Sequence, residues 1–205
     1  MKSVTSTSLT IKQKLYKRGT ERMDRFCKAN SLTAPKVMVV PHADWHVGFC
    51  AYYRPEEGIK ICLEECAFPA SPYNPRQWTW PGSDTDREPY GVICHEMGHH
   101  LDLEVSYSKG AYYGNFSTAA MKESREKPLT GYSPNPAEWF AEMARLFITN
   151  HALLYLLRPR TWDLFVKRWE PVSDEDWREE LGMGVPDRIV ANLEKKIRET
   201  KGKNR

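Results

Sequence analysis

The sequence predicts an α+β protein. Short apolar, strand-like runs are confined to the first 65 residues, two long segments of helical periodicity follow, and no internal repeat is present. With 205 residues the chain has the length of one ordinary domain. Such a chain can bury roughly 70% of the surface it exposes when unfolded. A single domain over 1–205 is therefore expected, with 1–10 and 200–205 disordered.

The elements are read in order as follows. Residues 11–28 have helical spacing, with Ile11, Leu15, Met23 and Phe26 on one face and Gly19 interrupting it. Residues 36–40, stopped by Pro41, read as a buried strand, and 47–53 and 59–63 as two more. Arg54-Pro55-Glu56-Glu57-Gly58 between the last two is turn chemistry, so they form a hairpin. Residues 68–81 hold four prolines with Trp78 and Trp80 and are irregular. A helix is expected from about Asp86 or Pro89 to Leu103, with Thr85 and Glu88 at capping-box spacing. Residues 104–131 are polar with three glycines and read as a long loop carrying one short helix at most. Asn135-Pro136 opens a second long helix that runs to about Leu157. A Trp-rich region and a last helix over 186–199 complete the chain.

Composition excludes several classes. Hydrophobic residues make up 40% and aromatics 12%, which argues against global disorder. The mean hydropathy is −0.64 and no apolar run approaches the ~18–20 residues of a membrane span. The N-terminus lacks the apolar stretch of a secretory signal, so a cytoplasmic protein that meets no membrane is expected. Five cysteines are an odd number and read as reduced thiols. A net charge of +3 does not by itself imply a nucleic-acid partner.

The chemistry is concentrated in His95-Glu96-Met97-Gly98-His99. Two histidines four apart on a helix project from one face, one turn above the other. Both imidazoles can reach one zinc ion at ~2.0–2.1 Å. Glu96 lies about 100° round the helix, beside such an ion without binding it, where it can act as general base. Ile93, Met97 and Leu101 form an apolar face opposite. A third ligand is required. His100 points away, and the next histidine is His151. The second long helix offers carboxylates instead. Glu138 lies in its first turn and Glu142 one turn on, followed by Arg145 and Thr149, while Trp139, Phe140, Met143, Leu146 and Phe147 form a core stripe. In this reading Glu138 binds the metal and Glu142 hydrogen-bonds a ligand histidine from behind. Two alternatives stay open: Glu138 closes a capping box with Asn135, or Glu142 is the ligand and Glu138 the cap.

These residues resemble the gluzincin metallopeptidases. The likeness runs from His95 through Asp102, then Tyr132, then Glu138 through Phe147. It extends to the catalytic domain of anthrax lethal factor and to small phage and bacterial metallopeptidase-like proteins, and it covers roughly residues 90–151. The resemblance implies a zincin-like fold: a small N-terminal twisted sheet with an edge strand over the cleft, an active-site helix, and a C-terminal helical part carrying the glutamate ligand. It implies His95, His99 and Glu138 as ligands of one zinc ion, Glu96 as general base, and Tyr132 as the residue supporting the oxyanion or leaving amine. Tyr112 or Tyr113 are alternatives to Tyr132. Asp102, three residues past His99, is within reach as a partner behind the ligands. The implied activity is hydrolysis of a protein or peptide substrate, with residues 59–63 as the edge strand beside the cleft and the Trp78/Trp80 loop at its mouth.

Two other functions are weighed. Basic residues Lys12, Lys14, Lys17, Arg18, Arg22 and Arg25, and the basic tail from Lys195 to Arg205, motivate a DNA-associated protease, which the interspersed acidic residues disfavour. A catalytically silent, zinc-stabilised binding module is disfavoured by the intact Glu96. A second zinc held by Cys62 and Cys66 would require a turn to bring Cys66 back, and ordinary buried thiols are the preferred reading.

Overall fold

The computed structural model describes residues 6–66, 88–108, 115–128 and 135–172. Among these residues the chain forms five helices and one three-stranded sheet, an α+β arrangement. The irregular stretch expected over 68–81, the helix expected over 186–199 and the disordered tail expected over 200–205 lie outside the described residues. The first helix, α1, is Ser6–Ala29, so residues 6–10 are helical and not disordered as expected. Of the face read from sequence, Leu15, Met23 and Phe26 are buried, joined by Cys27, and Ile11 is half-buried against Leu15 and Tyr90.

The sheet comprises β1 (Val37–Val39), β2 (Ala51–Arg54) and β3 (Gly58–Ile61). The β2–β3 hairpin is antiparallel, with Ala51 opposite Ile61. β1 docks in parallel on the other side of β3, giving the order β1-β3-β2. This corrects the edge-strand expectation: residues 59–61 form the central strand, and the edge on the hairpin side is β2. Gly58 makes that order possible. Its φ is +80°, and a Cβ there would lie 2.3 Å from the Lys36 carbonyl oxygen, so only glycine lets the hairpin pass this close to β1.

The second helix, α2, is Pro89–Ser108, five residues longer than expected, because nothing breaks the helix before Gly110. It starts at Pro89, one of the two expected starts, but without the expected capping box. The Glu88 carbonyl accepts from Val92 N–H, so Glu88 precedes the helix and is not the third residue of a capping box. The segment expected as a long loop holds α3 (Asn115–Ser124). α4 is Pro136–Leu157, capped by Asn135, whose side chain accepts from Ala137 N–H. The last helix among the described residues, α5, is Pro159–Val166.

α2 is buried from Pro89 to Leu103 and α4 from Trp139 to Ile148, on every face. They are the central pair, and helices apolar around most of their girth belong in a core. They cross at Gly98, where a Cβ would lie 2.6 Å from Ala141 Cα. Behind α4, Phe140 stacks on Phe165 of α5 at 5.1 Å and meets Phe116 of α3 edge-on at 5.3 Å. α4 kinks at Asn150, and the Ile148 carbonyl just before the kink accepts from Arg22 Nε of α1 at 2.6 Å. The scaffold under His95 and Glu138 is therefore held from three sides. Among the described residues no helix is long and apolar enough to cross a membrane.

Candidate metal centre

The close crossing at Gly98 brings the histidine face of α2 against the first two turns of α4. His95, His99 and Glu138 each present one donor atom, and these atoms lie within 4.8 Å of one another. Among the described residues this is the one group that could hold a metal ion. His95 Nε2 is 3.1 Å from Glu138 Oε2, and His99 Nε2 is 3.6 Å from Glu138 Oε1. The two rings sit edge to face, 5.0 Å between centroids.

The donor set fits a zinc ion. Bonds of ~2.0–2.1 Å bring ligand atoms to within about 4 Å of one another, and the three donor atoms already converge to within 4.8 Å. Two imidazoles and a carboxylate are an ordinary zinc set. The Glu138 side chain is 28% exposed, against 11% for both histidines, so the cluster opens to solvent on the glutamate side.

Glu142 occupies the position expected behind the ligands. Its Oε1 accepts from His95 Nδ1 at 2.7 Å, which leaves Nε2 facing Glu138. Arg145, also buried, donates to the same carboxylate, Nη2 to Oε2 at 3.1 Å. Burial works to raise the Glu142 pKa, but the Arg145 charge and the His95 hydrogen bond bring it down to about 2. Glu138 follows the same logic: burial raises it, and hydrogen bonds from His95 and His99 pull it well below the usual carboxylate range. Burial disfavours a charged His95, yet its bonds to Glu138 and Glu142 outweigh that and raise its pKa to about 10. Without a metal, His95 is thus an imidazolium between two carboxylates.

Glu96 stands beside this set, 8% exposed. Burial raises its pKa above the ordinary glutamate value, against the charges of His95 and His99. Its carboxylate accepts from the backbone N–H of Tyr53. That contact follows from the ladder. Cys62 N–H donates to the Cys50 carbonyl, so the hydrogen-bonded pairs are Cys50/Cys62 and, two residues on, Tyr52/Lys60. The Tyr53 N–H therefore points outward from the sheet, along the edge that meets α2. Sequence reasoning missed Tyr53, because a backbone donor leaves no signature in residue type. It also left His100 without a task. The His100 ring donates from Nε2 to the Thr33 carbonyl at 3.2 Å and accepts at Nδ1 from the Tyr53 hydroxyl at 2.9 Å, which ties β2 to α2.

Asp102 is fully buried, and its Oδ1 accepts from Ser117 N–H at 2.9 Å, anchoring the start of α3. Burial raises its pKa, while the Ser117 hydrogen bonds and the His99 charge lower it. Asp102 thus joins α2 to α3. Tyr132, Tyr112, Tyr113, Trp78 and Trp80 lie outside the described residues. Of the six basic residues noted on α1, Lys12 and Arg22 are buried and bonded to the carbonyls of Glu64 and Ile148. Compared with family models, curated proteins and solved structures, the chain finds no match in any of the three.

Proposed function

We propose that this chain is a zinc metallopeptidase of the gluzincin type, hydrolysing peptide bonds in a protein or peptide substrate. The observation that carries the reading is the convergence of His95, His99 and Glu138 donor atoms within 4.8 Å, with Glu96 beside them and outside the set. The order of the sheet and the central pair of α2 and α4 support a zincin-like architecture for the same reason: they bring an antiparallel edge strand, the HExxH helix and the glutamate helix to one place.

A zinc ion held by His95, His99 and Glu138 would supply Lewis acidity, lowering the pKa of a bound water toward ~7 and polarising the scissile carbonyl. The chain's own groups do the rest. Glu96, with its raised pKa, takes a proton from the attacking water and delivers it to the leaving nitrogen. The Tyr53 N–H keeps that carboxylate aimed at the site. Glu142 holds His95 with its proton on Nδ1, leaving Nε2 for the ion. Tyr132 is assigned the hydroxyl that donates to the developing oxyanion. An extended substrate lies along β2, whose outer edge faces Glu96, and main-chain hydrogen bonds supply part of its affinity.

The test is elemental zinc per chain together with cleavage of a peptide library, on wild type, Glu138→Ala and Glu96→Gln. About one zinc is expected in wild type and in Glu96→Gln, a clear loss in Glu138→Ala, and cleavage in wild type alone. Full turnover by a zinc-loaded Glu96→Gln protein would overturn the mechanism. A folded wild type that takes up no zinc would overturn the metal site.

A further inference from the structure

The thiols of Cys50, Cys62 and Cys66 play no part in the centre described above. The hairpin collects them. Cys62 N–H donates to the Cys50 carbonyl at 2.9 Å, so the Ala51–Ile61 register continues one step and sets Cys50 opposite Cys62. The chain then turns back on itself: Cys66 N–H donates to the Cys62 carbonyl at 3.3 Å. This is the turn that the sequence reading required to return Cys66. It brings the Cys66 thiol into hydrogen-bond contact with the Cys50 thiol. The Cys62 thiol is directed elsewhere, to Glu64 Oε2 at 3.5 Å. These thiols are not among the groups that could hold a metal ion. All three are reduced thiols, Cys50 half-buried and the other two buried.

We propose that Cys50 and Cys66 are a disulfide-forming pair, closed by a low-molecular-weight disulfide such as oxidised glutathione and reopened by a thiol reductant. The exposure of the two thiols assigns their order of reaction. The Cys50 thiolate attacks one sulfur of glutathione disulfide; that S–S bond breaks and one glutathione thiolate leaves. Cys66 then loses its proton, and its sulfur attacks the Cys50 sulfur of the mixed disulfide, expelling the second glutathione thiolate. Two protein thiols are oxidised and one small disulfide is reduced to two thiols. The second step is the slower one. The hydrogen bond with Cys50 and burial keep Cys66 protonated, and the nearby Lys12 ammonium, held on the Glu64 carbonyl at 3.1 Å, only partly offsets them. The closed bond would clamp the turn after β3 to the residue before β2, three positions from Tyr53.

The experiment incubates the folded full-length chain with excess oxidised glutathione, alkylates the remaining thiols, and maps a non-reduced digest by mass spectrometry. A Cys50–Cys66 peptide pair is expected, with alkylated cysteines falling from five to three. Cys62→Ser should form the same pair, and Cys66→Ser should carry a stable glutathione adduct on Cys50. Where Cys66→Ser does not fold, Cys50→Ser replaces it and should form neither pair nor adduct at Cys66. Five alkylated cysteines in the treated wild type, a Cys50–Cys62 pair, or a glutathione adduct that persists on wild-type Cys50 would each overturn the proposal. None of these readouts depends on zinc or on turnover, so the result stands apart from the metallopeptidase reading.

Discussion

Gly98→Ala is the perturbation that most directly tests how the centre is assembled. A Cβ at this position would lie 2.6 Å from Ala141 Cα, 3.0 Å from the Ala141 carbonyl oxygen and 3.0 Å from Ala144 Cβ. Carbon atoms in contact prefer roughly 3.5–4.0 Å. The obstructing atoms are backbone and a Cβ, which have no rotamer to move, so α2 and α4 must separate by roughly 1 Å. Gly98 lies between the two histidines, and Ala141 lies between Glu138 and Glu142. A 1 Å separation would stretch the 2.7 Å bond from His95 Nδ1 to Glu142 past the usual ~3.2 Å limit and widen the 3.1 Å spacing of His95 and Glu138 as well. Overpacking costs about 1–3 kcal/mol, of which the better helix propensity of alanine offsets roughly 1 kcal/mol. Loss of the partner behind a ligand weakens metal binding ~10–100-fold, and here the ligand spacing goes too, so a loss near 100-fold is expected. Competition titration of zinc against a fluorescent chelator reads the affinity, and thermal unfolding of the same samples reads the stability. Gly48→Ala is the control, since a Cβ there meets nothing within 4 Å. A Gly98→Ala protein that binds zinc and melts like wild type would refute the argument that this backbone contact sets the geometry.

The other predictions follow from individual contacts. Glu142→Gln removes the charge that His95 and Arg145 share, and zinc affinity should fall ~10–100-fold while urea unfolding shifts to lower midpoint; unchanged affinity would remove Glu142 from behind His95. The metal-free protein should be most stable near pH 5–6. The raised His95 pKa contributes stability that is complete below the ordinary histidine range and is lost as pH rises toward about 10, whereas the lowered Glu142 pKa contributes stability lost as pH falls from the ordinary glutamate range toward about 2. Urea midpoints that stay flat between pH 6 and 10 would contradict the first half. The same imidazolium must lose a proton when a metal binds, so zinc uptake at pH 7 should release about one proton from His95, measured by calorimetry in buffers of different ionisation enthalpy. Tyr53→Phe strands His100 Nδ1 without its donor and should cost about 1–3 kcal/mol in urea unfolding, with no change expected in zinc stoichiometry.

What the sequence made legible is what local geometry fixes. The helix period alone places His95 with His99 on one face and Glu138 with Glu142 on another, so the candidate groups could be read before any tertiary contact was known, though not which carboxylate faces the ion. The apolar stripes of α1 and α4 are legible on the same ground. What failed is non-local or lies in the backbone. A hairpin of β2 and β3 is written in its turn residues, but the side on which β1 docks is not, and the wrong strand was taken for the edge. The helical extension to Ser108 was hidden because Glu104, Ser106 and Ser108 look like loop residues; Leu103 and Ser106 are nevertheless buried, and the polar composition is accommodated by contacts such as Ser106 Oγ with Phe116 N–H. The Tyr53 N–H could not be found from side-chain identity at all.

The division of labour between the two glutamates of α4 rests on what each carboxylate has left to offer. Both sit one turn apart on the face toward His95, and helical spacing alone does not say which binds an ion. Glu142 is 2% exposed at its side chain; its Oε1 receives His95 Nδ1 and Oε2 receives Arg145. To become a ligand it would have to release a buried guanidinium, and a buried charge stripped of its partner costs about 3–5 kcal/mol. Glu138 is committed instead to the two histidines, whose hydrogen bonds to it a metal ion would replace. Its two oxygens face the Nε2 atoms of two histidines, and its side chain is open enough for a fourth position on an ion to reach solvent. In the capping alternative the Glu138 carboxylate would turn back to the Asn135 N–H, whereas its oxygens lie 3.1 and 3.6 Å from the Nε2 atoms of His95 and His99. Arg145 is therefore the residue that decides the assignment: by occupying Glu142 it leaves Glu138 as the carboxylate free to exchange its imidazole hydrogen bonds for a metal.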